Sequence, residues 1–164
     1  EFKFAPQTAR KVRLIQTAGG GSEYWSVSEL RLFSGDSELP RASEWRLTAR
    51  PNPWAIQAAF DNSPATRWRS GEPIRPGMYI EIDFGGATTF DRVHAECSRD
   101  QYKARMKVDV LDPAGKWTTV STDPEDMSGT QWAGLRRAAT AEVKAAGVSY
   151  ILIEEGDFGA EFGL

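Results

Sequence analysis

A single cysteine, Cys97, and a single histidine, His94, are all that this chain offers to thiol and imidazole chemistry. One cysteine excludes an internal disulfide, so the fold has to be held by its core. One thiol and one imidazole also leave a tetrahedral zinc site short of its usual ligands, with carboxylates as the only further source. Nucleophilic catalysis needs a base held beside a serine or cysteine, and His94 lies close in sequence to no serine within a strained elbow motif. The sequence has no run of about eighteen apolar residues, so nothing in it spans a bilayer as a helix. It also lacks a basic excess: 20 Lys and Arg stand against 23 Asp and Glu, a formal charge of −3. Groove-tracking nucleic-acid binding is therefore not expected. Gly19-Gly20-Gly21 lacks the strand-to-helix context of a phosphate loop. The acidic pairs Glu154-Glu155 and Asp123-Glu125-Asp126 are near neighbours. Glycoside hydrolysis needs two separated carboxylates facing across a cleft. No catalytic constellation results, and the expectation is a domain that is not itself an enzyme.

What is present is apolar and aromatic. Hydrophobic residues make up 40% of the chain and aromatics 11%, with six tryptophans, which excludes a disordered chain. A length of 164 residues suits one domain, 1–164, that buries about two-thirds of its unfolded surface. The chain opens on Glu1-Phe2 without a methionine, and the expectation is a piece excised from a larger protein.

Short alternating runs dominate. Val12 and Leu14 alternate with Lys11 and Arg13; Ile80, Ile82 and Phe84 with Tyr79, Glu81 and Asp83. Val93, Ala95 and Cys97 alternate with Arg92, His94 and Glu96, and Met106, Val108 and Val110 with Arg105, Lys107 and Asp109. Period two with turns between the runs predicts a mainly β fold, an antiparallel sandwich. The apolar phase switches between Val27 and Leu30, which predicts a bulge that re-aims Glu29. One stretch differs. Leu135, Ala139 and Val143 share a helical stripe over 131–146, Ser128 and Gln131 suit a capping box, and Gly147 suits a stop. A strand over 148–153 follows, giving an added helix-strand unit, 131–153, and the end, 154–164, is expected to be poorly ordered.

The most informative ten residues are 59–68, Ala-Phe-Asp-Asn-Ser-Pro-Ala-Thr-Arg-Trp. Asp61 and Asn62 favour a tight turn, and Pro64 fixes one dihedral. On residues alone this is either a self-capped surface loop or an oxygen-rich calcium site. Together with Trp25-Ser26-Val27-Ser28-Glu29-Leu30-Arg31-Leu32-Phe33 it resembles the discoidin family, also called coagulation factor V/VIII C-type domains. Ala59, Asp61, Thr66 and Trp68 fall on that family's loop motif, and Ser26, Glu29, Leu30 and Phe33 on its Ser-x-x-Glu strand. Residues 78–85, Met-Tyr-Ile-Glu-Ile-Asp-Phe-Gly, are similar to a further family strand, and Asp112-Pro113-Ala114-Gly115-Lys116-Trp117 to a family hairpin. The resemblance covers roughly residues 25–120. It implies a galactose-binding-like jelly roll, a fold that includes many carbohydrate-binding modules. Here the Ser-x-x-Glu strand precedes the loop instead of closing the domain, so the strand order looks permuted. The resemblance also implies calcium as a structural ion, with Asp61, Thr66 and Glu29 as ligands and Asn62 as a partial replacement. Asn62 stands where the family places glycine, and Ser63 where it places a stronger ligand.

The segment after 131 resembles, over a short stretch, extracytoplasmic modules that follow the membrane region of some bacterial glycosyltransferases. Both resemblances imply a non-catalytic glycan- or ligand-binding module on the outer side of a membrane, attached to other domains of its parent. The alternative is an interaction domain that packs on a parent glycosyltransferase and has no sugar site. Sugar modules hold a pyranose on an exposed aromatic ring and satisfy its hydroxyls with polar side chains. Trp54, stiffened by Pro51 and Pro53, is either that platform or a plug in the end of the sandwich. Arg69, Arg75, His94, Arg99 and Tyr102 are the candidate polar partners around it. Trp45 and Trp117 are expected to pack on the core, and Trp68 to lie beneath the loop.

Overall fold

The computed structural model describes residues 1–19, 22–63, 65–97, 104–122, 150–152 and 161–163. The chain divides into two compact units, Glu1–Asp123 and Pro124–Leu164. In the second, strand Tyr150–Leu152 pairs antiparallel with Glu161–Gly163. That places a strand inside the terminal stretch expected to lack order. The helix expected at 131–146 lies outside the described residues.

Among its described residues the first unit has antiparallel strands and one turn of 3-10 helix at Ile56–Ala59. Its strands are β1 Phe2–Gln16, β2 Tyr24–Ser34, β3 Ser37–Glu38, β4 Arg46–Arg50, β5 Trp68–Pro73, β6 Tyr79–Cys97, β7 Met106–Leu111 and β8 Trp117–Thr122. β6 is the organising element. Its first half pairs with β4 and with Lys11–Ile15 of β1, and its second half with β2 and the start of β1. Register breaks between Lys3 and Gln7 and between Ala9 and Lys11 bend the β1–β6 pair. Bulges of this kind bend a sheet over its core, and the eight strands form one antiparallel sheet consistent with a β-sandwich.

Alternation fixes what each face does. Ile80, Ile82 and Phe84 of β6, Val12 and Leu14 of β1, and Met106, Val108 and Val110 of β7 are buried together. Aromatic edges close the packing: Phe84 meets Trp45 at 5.2 Å and Phe90 at 5.5 Å, and Trp25 meets Trp68 at 5.1 Å. On the opposite face Glu81 is held by Lys11 at 2.9 Å and Arg13 at 2.6 Å. Burial alone would raise Asp83, but the Gly85 amide, Lys11 and Arg10 outweigh it and hold its carboxyl below the usual range.

Trp45 packs on the core as expected. Trp117 does not; it is half-buried beneath the Arg13 guanidinium, 4.1 Å from the ring centre, with Tyr79 at 4.5 Å from the same group. The hairpin at 112–116 closes as its residues predict. The Gly115 and Lys116 amides both donate to Asp112, and Gly115 takes a φ of 82°.

Candidate functional site

The loop at 61–68 is a clasp closed by hydrogen bonds. Asp61 Oδ1 accepts the Ser63 amide at 3.0 Å, and the Thr66 hydroxyl lies 2.9 and 2.7 Å from the two Asp61 oxygens. Asn62 takes the left-handed conformation, φ 57°, which asparagine tolerates better than most side chains. Its amide proton then reaches Glu29 Oε1 at 2.6 Å. Glu29 can be there because the β2–β6 register slips between Val27 and Glu29, the bulge that the phase switch predicted. The slip turns a carboxylate inward at a place where alternation alone would have put a hydrophobe.

Glu29 is 3% exposed, and burial pushes its carboxyl above the usual range. The Asn62 amide and Arg31, 3.9 Å away, oppose that shift, while the charges of Asp61 and Glu96 add to it. A calcium shell needs six to eight oxygens at about 2.3–2.6 Å. Here Asp61 and Glu29 are both engaged by N–H and O–H protons of the loop, and the Thr66 hydroxyl acts as donor. Among the described residues no three His, Cys, Asp or Glu side chains gather as a ligand set. The donor set suits a self-sufficient clasp and not a calcium shell.

A raised folded-state pKa means that the folded protein binds the Glu29 proton more tightly than the unfolded chain. Stability from this group is therefore greatest below its unfolded pKa and falls as pH rises toward and through the folded value. Glu29→Gln keeps an oxygen for the Asn62 amide and removes the buried charge. The variant is expected to melt higher than the parent at neutral pH, with the difference closing as pH falls toward about 4. Melting curves across that window check it, and a variant less stable at neutral pH would contradict it.

The clasp delivers Trp68 into the core, and Trp68 in turn fixes the next loop. Its indole Nε1–H donates to the Asn52 carbonyl at 2.6 Å. The Asn52 side chain donates to the Arg69 carbonyl at 2.9 Å and accepts the Trp54 amide at 3.3 Å. Three hydrogen bonds thus hold the short loop 51–54, and at its tip Trp54 is 90% exposed. Arg69 and Arg75 are also exposed, Arg75 in an ion pair with Glu72. Beside the loop lies an open cleft of about 230 Å³, lined by Arg50, Pro51, Arg75, Pro76, Gly77, Met78 and Tyr79. His94 is placed elsewhere. It sits opposite Arg31 and 3.6 Å from Glu96, in the charged group around Glu29. Arg99 and Tyr102 lie outside the described residues.

Two parts of this end escaped the sequence reading. Asn52 is the anchor of the loop, and the Asn-Pro pair was a turn signal available to find it. Arg50 contributes to the cleft only because β4 pairs with β6, Arg50 opposite Tyr79, and no local signal carries that register.

The family model for the F5/8 type C domain matches residues 41–155, more than half of the chain. The chain belongs to this family. The match takes in the Trp54 loop, the clasp and strands β4 to β8, while the Ser-x-x-Glu strand β2 precedes it. F5/8 type C domains are generally non-catalytic binding modules, commonly for carbohydrates or other ligands, and typically extracellular. No helix among the described residues is long and apolar enough to cross a membrane. None of the curated proteins or solved structures compared with the chain matches it.

Proposed function

We propose that this F5/8 type C domain is a non-catalytic carbohydrate-binding module of a larger extracytoplasmic or membrane-attached protein, with the Trp54 loop as its contact surface. The observation that carries the reading is the exposure of Trp54, 90%, on a loop whose backbone is already fixed by Asn52. An indole left in water at the tip of a rigid loop contributes nothing to the core. It offers a flat apolar face on which the C–H face of a pyranose can stack, at little further cost in ordering. Arg69, anchored through its own carbonyl to Asn52, supplies a donor fork for ring hydroxyls. The module selects and tethers; it performs no chemistry. Calcium is not required for this, since loop protons already satisfy both clasp carboxylates.

A panel of immobilised oligosaccharides, probed with the full chain with and without chelator, tests both statements. At least one saccharide class should be retained, with binding and melting temperature unchanged by chelator. Retention of none would remove the carbohydrate reading. Loss of binding or of stability on chelation would restore a metal to the clasp.

A further inference from the structure

We infer that the ligand of the Trp54 end is an acidic saccharide, one whose carboxylate is received by the cleft at Arg50 and Arg75 while a ring stacks on Trp54. This rests on the carbohydrate reading above and narrows it to a chemical class. The lining of the cleft combines two arginines, a tyrosine and a glycine, Gly77, and it contains no carboxylate. The space where a Cβ would stand on Gly77 is empty to 4 Å, which leaves room for a ligand, while the Gly77 amide itself donates to the Gln16 carbonyl. Glu72, the partner of Arg75, is not among the lining residues.

Of the two cleft arginines, Arg75 is paired with Glu72 and, among the described residues, Arg50 is not paired. Lys11, Arg13, Arg31, Arg92 and Lys107 are each committed to a carboxylate. Arg50 and Arg69 have no carboxylate partner among the described residues. In a protein of net charge −3, Arg50 stands four residues before the exposed Trp54, and the Arg69 carbonyl is bonded to Asn52 of the same loop. A guanidinium fork matches a carboxylate in shape and charge, and such pairs are about twice as strong as neutral hydrogen bonds. The cleft and the ring are close enough for one ligand. Pro51 lines the cleft and Trp54 is three residues on, so their Cα atoms are at most about 11 Å apart. Two linked sugar rings span that gap.

An anionic lipid surface carries the same charge, but interfacial docking draws on buried apolar area as well as on that attraction. The exposed large apolar side chains among the described residues are Trp54 and Tyr24, too little for a bilayer face. A saccharide fits better.

Titration calorimetry of the full chain with trigalacturonate and with its fully methyl-esterified form isolates the charge, since the rings are the same. The acid should bind at least about tenfold more tightly than the ester at low salt, with the gap narrowing as salt screens it. Arg50→Gln, an exposed change, should lower affinity for the acid about tenfold and for the ester clearly less, with Arg50→Lys recovering only part. Equal binding of acid and ester, or an acid preference untouched by Arg50→Gln, would overturn the acidic assignment and leave the carbohydrate reading standing. Binding of neither form would overturn the acidic assignment. If the oligosaccharide panel were also blank, the carbohydrate reading would fail with it. Binding to phosphatidylglycerol vesicles with no binding to trigalacturonate would overturn the assignment in favour of a lipid surface.

Discussion

Trp68→Ala is expected to lower stability by about 3–5 kcal/mol, the range found when a large buried aromatic is cut back to alanine. For a domain of this size that is a fall of about 10–20 °C in melting temperature. The ring is wholly buried, meets Trp25 edge-on at 5.1 Å, and donates to the Asn52 carbonyl. Truncation leaves a cavity between β2 and β5 and frees the carbonyl that anchors the Trp54 loop. Trp68→Phe separates the two effects. It keeps most of the ring volume and loses the N–H, so it should unfold at a smaller deficit while still weakening saccharide binding. Calorimetric melting of both variants checks the order. An alanine variant as stable as the parent would mean that the clasp does not support this end.

Trp54→Ala should do the reverse. A side chain 90% exposed has little burial to lose, so stability should change by less than about 0.5 kcal/mol. Saccharide affinity should fall about 30-fold or more, the effect of removing an aromatic hot spot worth about 2 kcal/mol. Melting temperature and affinity measured on the same preparation decide it. Retained affinity would move the binding surface away from this loop, and a large loss of stability would make Trp54 a structural residue. The two variants form a pair, since Trp68 acts through the fold and Trp54 through the ligand.

Much of this arrangement was legible because it follows from period two. Ile80, Ile82 and Phe84 had to face one way, and the break of phase before Leu30 had to be a bulge. The clasp was legible from Asp61 and Thr66, whose side chains can only bond locally in so short a turn. Strand continuity was not. The alternations over 79–84 and 92–97 read as separate runs, yet β6 runs through both. Gly85 takes its φ of 77° within the strand, which bends the ribbon and does not end it.

Trp117 misled for a related reason. Aromatic bulk predicts burial, but its position opposite Leu111 in the β7–β8 ladder sets it on the face where Arg13 covers it. The charges of the site were the least legible part. Which arginine lacks a carboxylate depends on register between β4 and β6, and on the many acids already claimed by Lys11, Arg13 and Arg31. His94 looked like a ligand residue by type, but the pairing of β6 with β2 assigns it to Glu96.

The measurement closest to the central claim uses the six tryptophans as separate reporters. In a proton–nitrogen correlation spectrum each indole N–H gives its own signal, and the Trp54 signal is identified by its absence in Trp54→Ala. On titration with trigalacturonate the account predicts that the Trp54 signal moves progressively to saturation, while those of Trp25 and Trp68 stay in place. A saturating shift of the Trp45 signal with Trp54 unmoved would put the ligand in the separate cleft that Trp45 lines with Leu39, Pro40 and Arg41. No shift of any indole would contradict the account outright.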